Sequence, residues 1–297
     1  MGFATVDALY NAITTDKQIL AVPFTKTIVT GATSAAGRFH ECLSGGGTGG
    51  ATVLTGTAGT GLTKGATDVG ALPIGPAVEA GGKTKHLLSL TVNTPATTLT
   101  PAFLILTDII HVYPSLVMVT TPSTLSNHPT WTGTGDSRMT NANGVQLSAL
   151  LTTASSAAGQ ITPNYTDQDN NTQAITRGMH GPVAAHPAGA LFGDVSATAT
   201  PGGYVAPLAA GDYGVKQVNS YAINTGATGG TGCFILHRPI AVIPLAAANT
   251  PSVYDFTTGP IRLPRIYDNS HLGFFVQIGG ALTASNVITG ELVYGWA

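Results

Sequence analysis

The chain has 297 residues, 12 Lys and Arg against 14 Asp and Glu, 38 Gly, 18 Pro and only 9% charged residues. A net charge of -2 excludes the basic field that nucleic-acid binding needs, and glycine without a three-residue period excludes collagen. So few charges cover a monomer poorly, so the expected surface is Thr, Ser, Asn, Gly and Ala, with part of it buried against other subunits.

Met1 to Leu20 shows no basic stretch followed by an apolar run, and Val6 stands where a myristoylation start requires Ser or Thr. The expectation is synthesis in the cytosol and no membrane partner. Thr5 or Asp7 is positioned to cap a short helix carrying Val6, Leu9, Tyr10 and Ile13 at helical spacing. Ile19 to Thr30 reads as extended, with Pro23 denying helix. Ser44 to Gly82 reads as a long Gly/Thr/Ala-rich loop or arm with short strands and little to build a core, of the kind that orders by lying on a neighbour.

Strands are expected over His86 to Val92, Ala102 to His111 and Val112 to Thr120, with Tyr113-Pro114 breaking the last two apart. The apolar run from Pro101 to Val119 is interrupted by Asp108, His111 and Pro114, so it does not read as a membrane span. After the turn-rich stretch Thr121 to Asn143, strands are expected over Val145 to Thr153 and Gln160 to Thr166, followed by a polar turn, Asp167 to Asn171. Arg177 to Gly211 reads as irregular. Further strands are expected from Val215 to Ile223, Cys233 to Pro244, Ile261 to Ile266, Leu272 to Ile278 and Val287 to Tyr294. The Gly279 to Asn286 turn makes the final pair look like a hairpin. Phe274, Phe275, Tyr294 and Trp296 are candidates for core or subunit seam, core being preferred.

Short strands, many turns and almost no helical periodicity predict a mainly β protein, an antiparallel β-sandwich or jelly roll with long Gly/Thr-rich loops. The expected organisation is an N-terminal helix or arm over 1–36 and a β-rich domain over 37–297, with two lobes meeting near 196–211 as one option.

Sequence motifs for chemistry are weak. Gly45 to Gly50 formally contains G-x-G-x-x-G, but no helix start follows it, so a flexible loop is the better reading. His180 and His186 are too far apart, with a proline between, for a zinc pair. His40-Glu41-Cys42 matches a cysteine hydrolase only in residue types. Asp167-Gln168-Asp169-Asn170-Asn171 opens like a calcium loop but lacks its Gly and its terminal Glu. Asn164 and Asn170 sit in glycosylation sequons, read as incidental. Cys42 and Cys233 are expected to be unlinked thiols. With only three Glu and no acid pair, no catalytic, cofactor-binding or metal-binding residue is assigned, and the chain is expected not to be an enzyme.

Several stretches keep a common order along the chain: Gly37 to Leu43; Asp108 to His111 with Thr140 to Val145; Asn164 to Asp169; Ala210 to Val218; Leu236 to Ile240; and Leu263 to Asp268. Together they resemble a widespread family of tailed-bacteriophage virion structural proteins. The chain departs from that pattern at Asn170-Asn171, where Gly is expected, and at His271-Leu272. The resemblance implies a structural virion component. That resemblance, with the apolar, charge-poor composition, favours a capsid decoration or cement protein, a homo-oligomer such as a trimer that contacts the major capsid protein. A jelly-roll shell protein and a tail or fibre component contacting the host surface are the alternatives.

Overall fold

Thr5 starts the chain's one described helix, α1 (Val6–Thr14). Its backbone is extended at φ -146, and its hydroxyl accepts Ala8 N at 3.1 Å, satisfying a first-turn amide that has no partner within the helix. The computed structural model describes residues 5–16, 18–30, 36–94, 102–117, 122–154, 160–175, 178–180, 188–192, 203–223, 230–245, 247–258, 263–280 and 286–297.

The strands are, in chain order, β1 (Ile19–Ile28), β2 (Phe39–Glu41), β3 (Leu62–Thr63), β4 (Lys85–Asn93), β5 (Ala102–Val117), β6 (Ser123–Thr124), β7 (Gln146–Leu151), β8 (Gln160–Asp167), β9 (Thr172–Ala174), β10 (Met179–His180), β11 (Leu191–Phe192), β12 (Val215–Ile223), β13 (Thr231–Leu245), β14 (Ser252–Asp255), β15 (Arg265–Ile266), β16 (Leu272–Gln277) and β17 (Asn286–Trp296). They form three sheets. The first runs β1-β17-β4-β14, with β15 also on β4. The central one runs β11-β7-β13-β5-β16-β2, with β3 also on β5. The third runs β10-β8-β12-β6, with β9 also on β8. Every ladder between these strands is antiparallel. The sheets curl into a near-barrel, so the mainly antiparallel, jelly-roll-like sandwich expected from sequence is the fold.

Side-chain alternation along the central sheet divides the core. Leu104 and Leu106 of β5, Ile243 of β13, and Phe274 and Val276 of β16 pack against Phe24, Leu90, Ile288, Leu292 and Tyr294 of the first sheet. Ile110, Tyr113 and Leu116 of β5 and Phe234 and Leu236 of β13 pack against Tyr165, Val218 and Tyr221 of the third sheet. The opposite face of the central sheet carries Ile105, Ile109, Val112, Cys233, Ile235 and Phe275 under Leu43, Leu54 and Leu191. The switch from first to second core occurs at a register shift. His111 faces Leu236 while Ile109 faces His237, so Ile110 is an additional residue on β5. One inserted residue reverses the pleat downstream.

Three expectations are corrected. Tyr113-Pro114 does not break the chain: residues 102–117 form one strand. Pro114 falls at another register shift, between Leu116 opposite Gly232 and Tyr113 opposite Phe234, where a missing N–H costs the ladder nothing. The last two strands are not a hairpin, because β16 pairs with β5 and β2 in the central sheet while β17 pairs with β1 and β4 in the first. Residues 44–82 do build core, through Leu54, Leu72 and Ile74, and they lie on their own chain rather than needing a neighbour. The strand β14 had no counterpart in the sequence reading. Of the expected core residues, Phe274, Phe275 and Tyr294 are buried and Trp296 is half-buried. Much of the stretch around 196–211 lies outside the described residues.

Candidate functional site

The Gly45–Gly50 run is a backbone clasp on β1. Thr27 N donates to Gly46 O at 3.0 Å and Thr48 N to Thr25 O at 2.7 Å. Gly47, Gly49 and Gly50 have φ of 124, 78 and 83, and a Cβ on Gly49 would lie 2.0 Å from Ala71 O. Glycine is required here for close backbone approach, and no phosphate need be invoked. The clasp encloses Lys26, whose Nζ donates to Gly50 O at 2.8 Å and Gly70 O at 3.0 Å. Burial lowers the Lys26 pKa, against the pull of Cys42 and Glu41.

The His40-Glu41-Cys42 set does not converge. His40 Nδ1 meets Val29 O at 2.9 Å. Glu41 is opposite Phe275 and turns its carboxylate to Leu43 N, Ser44 N and Ser44 Oγ. Burial raises the Glu41 pKa, with the Ser44 donors opposing. Cys42 enters the first core, and both cysteines are free and buried, which pushes their thiols well up. His180 lies on β10 opposite Gln160, and His186 lies outside the described residues.

Asp167 ends β8 and closes its own turn. Its Oδ1 accepts Asp169 N and Asn171 N, each at 2.8 Å, and Oδ2 accepts Asn171 Nδ2 at 3.0 Å. Burial opposes ionisation, but the bonds from Asn171 and Asp169 hold its carboxyl below the usual range. The neighbouring Gln168 Oε1 accepts Tyr213 N and Gly214 N, each at 3.1 Å. Asn164 lies within β8, and Asn170 occupies the left-handed position of the turn at φ 72.

The strongest polar cluster was not anticipated. Arg138 sits in a short 3-10 turn, Ser137–Met139, and is buried. Its Nη1 donates to Asp108 Oδ1 at 2.8 Å and to Ile109 O at 3.2 Å. Its Nε donates to Asp136 Oδ2 at 2.7 Å, and Nη2 reaches Lys64 O. Asp108 also accepts Ser270 Oγ at 3.0 Å and His271 N at 2.9 Å. Burial raises the Asp108 pKa; the Arg138 charge and these donors oppose it. The sequence signal was Asp108 itself, a lone acid inside an apolar strand, which has to meet a partner. Arg238, on β13, donates to Arg138 O at 2.6 Å, to Asn143 O at 3.2 Å and to Asn141 O. Two pairs of the segments singled out in the sequence are thus partners of one another: Arg238 with Asn141 and Asn143, and Gln168 with Tyr213 and Gly214.

A second chain of polar groups crosses the central sheet. His237 Nδ1 meets Thr107 Oγ1 at 2.7 Å and Nε2 meets Ser148 Oγ at 2.8 Å. The order hydroxyl, imidazole, hydroxyl is that of a nucleophile relay. All three residues are 0% exposed, so no substrate reaches the serine. Burial pulls the His237 pKa down to about 3, leaving the ring a neutral tie between β5, β7 and β13.

Beside the Arg138 network a cavity of about 530 Å³ opens, lined by residues including Asn127, His128, Thr130, Thr134, Asp136, Met139 and Asn269. His128 Nδ1 is tied to Tyr113 Oη at 2.9 Å. Among the described residues no group of three or more His, Cys, Asp or Glu is placed to hold a metal ion, and no helix is long and apolar enough to cross a membrane.

No family model and no curated protein matches the chain. Among solved structures, the chain is weakly similar to viral capsid proteins. With the protein of infectious bursal disease virus-derived T=1 particles it shares 9% identity at a TM-score of 0.19, covering 93% of this chain and 77% of that one. With VP1 of Trichodysplasia spinulosa-associated polyomavirus it shares 9% identity at a TM-score of 0.20, covering 94% and 95%. At TM-scores this low the likeness assigns neither fold nor role.

Proposed function

We propose that this chain is a non-enzymatic structural component of a bacteriophage particle, a decoration or cement protein that stabilises the head through protein–protein contacts. One observation carries the reading. In a chain with 12 Lys and Arg and 14 Asp and Glu, the side chains of Lys26, Glu41, Lys64, Lys85, Asp108, Arg138 and Asp167 are turned inward. The surface left to water is correspondingly poor in charge, and the centres of lasting protein interfaces are depleted in charge in the same way. The resemblance of the ordered segments to virion proteins supports the same role. The partners are further copies of the chain, arranged as a closed oligomer such as a trimer, and the major capsid protein; nucleic acid and membrane have no part.

Gold-labelled antibody against the chain, applied to intact purified particles, tests this reading. Label spread evenly over the head is the expected result. Label confined to the tail, or absent from particles whose proteins include no copy of the chain by mass spectrometry, overturns it.

A further inference from the structure

The cavity beside Arg138 carries hydrogen-bonding capacity that the fold leaves unused. Val218 N donates to Tyr113 Oη at 3.4 Å, and Tyr113 Oη lies 2.9 Å from His128 Nδ1. The arrangement that satisfies all three groups has the phenol donating to Nδ1. That assigns the ring proton to Nε2 and makes His128 a donor on the cavity wall. Asn127 and Asn269 are each anchored through Nδ2, to Gly61 O and Gly135 O respectively, which frees both Oδ1 atoms as acceptors. The side chains of Thr130 and Thr134 line the same space with no partner among the described residues. Donors and acceptors therefore alternate around one opening.

Charge narrows the class of ligand. The Arg138 guanidinium is already held by Asp108 and Asp136, and Lys64, on the same wall, feels the charge of Asp68, so neither cation is left uncompensated for a phosphate or sulfate. The volume, about 530 Å³, falls within the roughly 300–1,000 Å³ of small-molecule sites. The geometry points to a binding site for a neutral saccharide, whose hydroxyls each both donate and accept. The cavity alone supports this site, whatever the chain's place in a particle.

Saturation-transfer NMR on the full chain tests it, with glucose, galactose, mannose and N-acetylglucosamine as separate probes at millimolar concentration. Two variants accompany the wild type. Thr134→Trp fills the cavity from an exposed loop position, and His128→Ala removes one donor. Thermal melts establish that both are folded. Transfer to at least one sugar is expected, abolished in Thr134→Trp and weakened about fivefold to tenfold in His128→Ala, as for one lost hydrogen bond. Tighter binding of a polysaccharide ending in the same unit identifies a surface polymer as the source, and equal affinity identifies the free sugar. Transfer to none of the probes, unchanged binding in folded Thr134→Trp, or full competition by inorganic phosphate overturns the proposal.

Discussion

Arg138 and Asp108 meet at 2.8 Å with side chains only 1% and 6% exposed, joining the 3-10 turn at 137–139 to the middle of β5. Removing one partner of a buried pair leaves the other charged and unsatisfied, at a cost of about 3–5 kcal/mol. Arg138→Ala is therefore expected to lose that much in denaturant unfolding. Arg138→Lys should not recover it, since one ammonium cannot reach Asp108, Asp136 and two carbonyls in a fixed fork. A loss below about 1 kcal/mol in Arg138→Ala would show the pair to be incidental.

The glycine clasp predicts a sharp contrast between neighbours. Gly49→Ala places a Cβ against Ala71 O at a φ of 78, whereas a Cβ on Gly46 meets nothing within 4 Å. Gly49→Ala is expected to cost about 2 kcal/mol or more and Gly46→Ala less than about 0.5 kcal/mol. Equal melting temperatures for the two variants would remove the clasp from the account of the fold.

Four histidines set the acid limit. His40, His111, His237 and His271 are buried, and burial lowers their pKa values to about 4, 3, 3 and 4. A histidine held neutral binds its proton more weakly folded than unfolded. Its stabilisation is complete above the unfolded value of about 6.5 and is lost as pH falls toward the folded one. Glu41 and Asp108 are raised by burial and shift stability the other way, so two opposing groups stand against four histidines. Stability should therefore fall steadily from about pH 6.5 to 4.5, by up to about 1.4 kcal/mol per histidine per pH unit. Denaturation midpoints measured across that interval check the slope, and a flat profile contradicts it.

Gln168 is a further control point. Gln168→Ala strips the acceptor from Tyr213 N and Gly214 N, and two unpaired backbone amides should cost about 1–3 kcal/mol. Amide exchange at residues 213 and 214 should accelerate while exchange in the first sheet stays unchanged.

The thiols give the simplest check. Cys42 and Cys233 are 0% exposed and unlinked. Both should resist a thiol reagent in the native protein and react stoichiometrically after denaturation. Rapid labelling of either without denaturant would contradict the packing.

How far these features are legible in sequence depends on how local their causes are. Thr5 caps α1 and Pro23 marks the extended β1 because those effects act within a few residues. The Asp167 turn was equally visible, since its carboxylate bonds only as far as Asn171. Pro114 does not break its strand, because whether a proline interrupts a strand depends on the register of the partner β13, distant in sequence but adjacent in space. The last two strands misled for a similar reason: turn residues between β16 and β17 do not say that the strands enter different sheets. Leu54, Leu72 and Ile74 looked too sparse for a core, and they fill gaps that other segments leave. Arg138 lay hidden among turn residues, and only the demand of Asp108 for a partner pointed toward it.

Both β5 and β13 supply side chains to all three hydrophobic clusters, and they pair with each other from Ala102–Leu245 to Val117–Thr231. Two paired strands thus belong to all three cores at once, so the molecule should melt in a single transition. Tension applied along these two strands would load their rungs together in shear rather than opening them one after another.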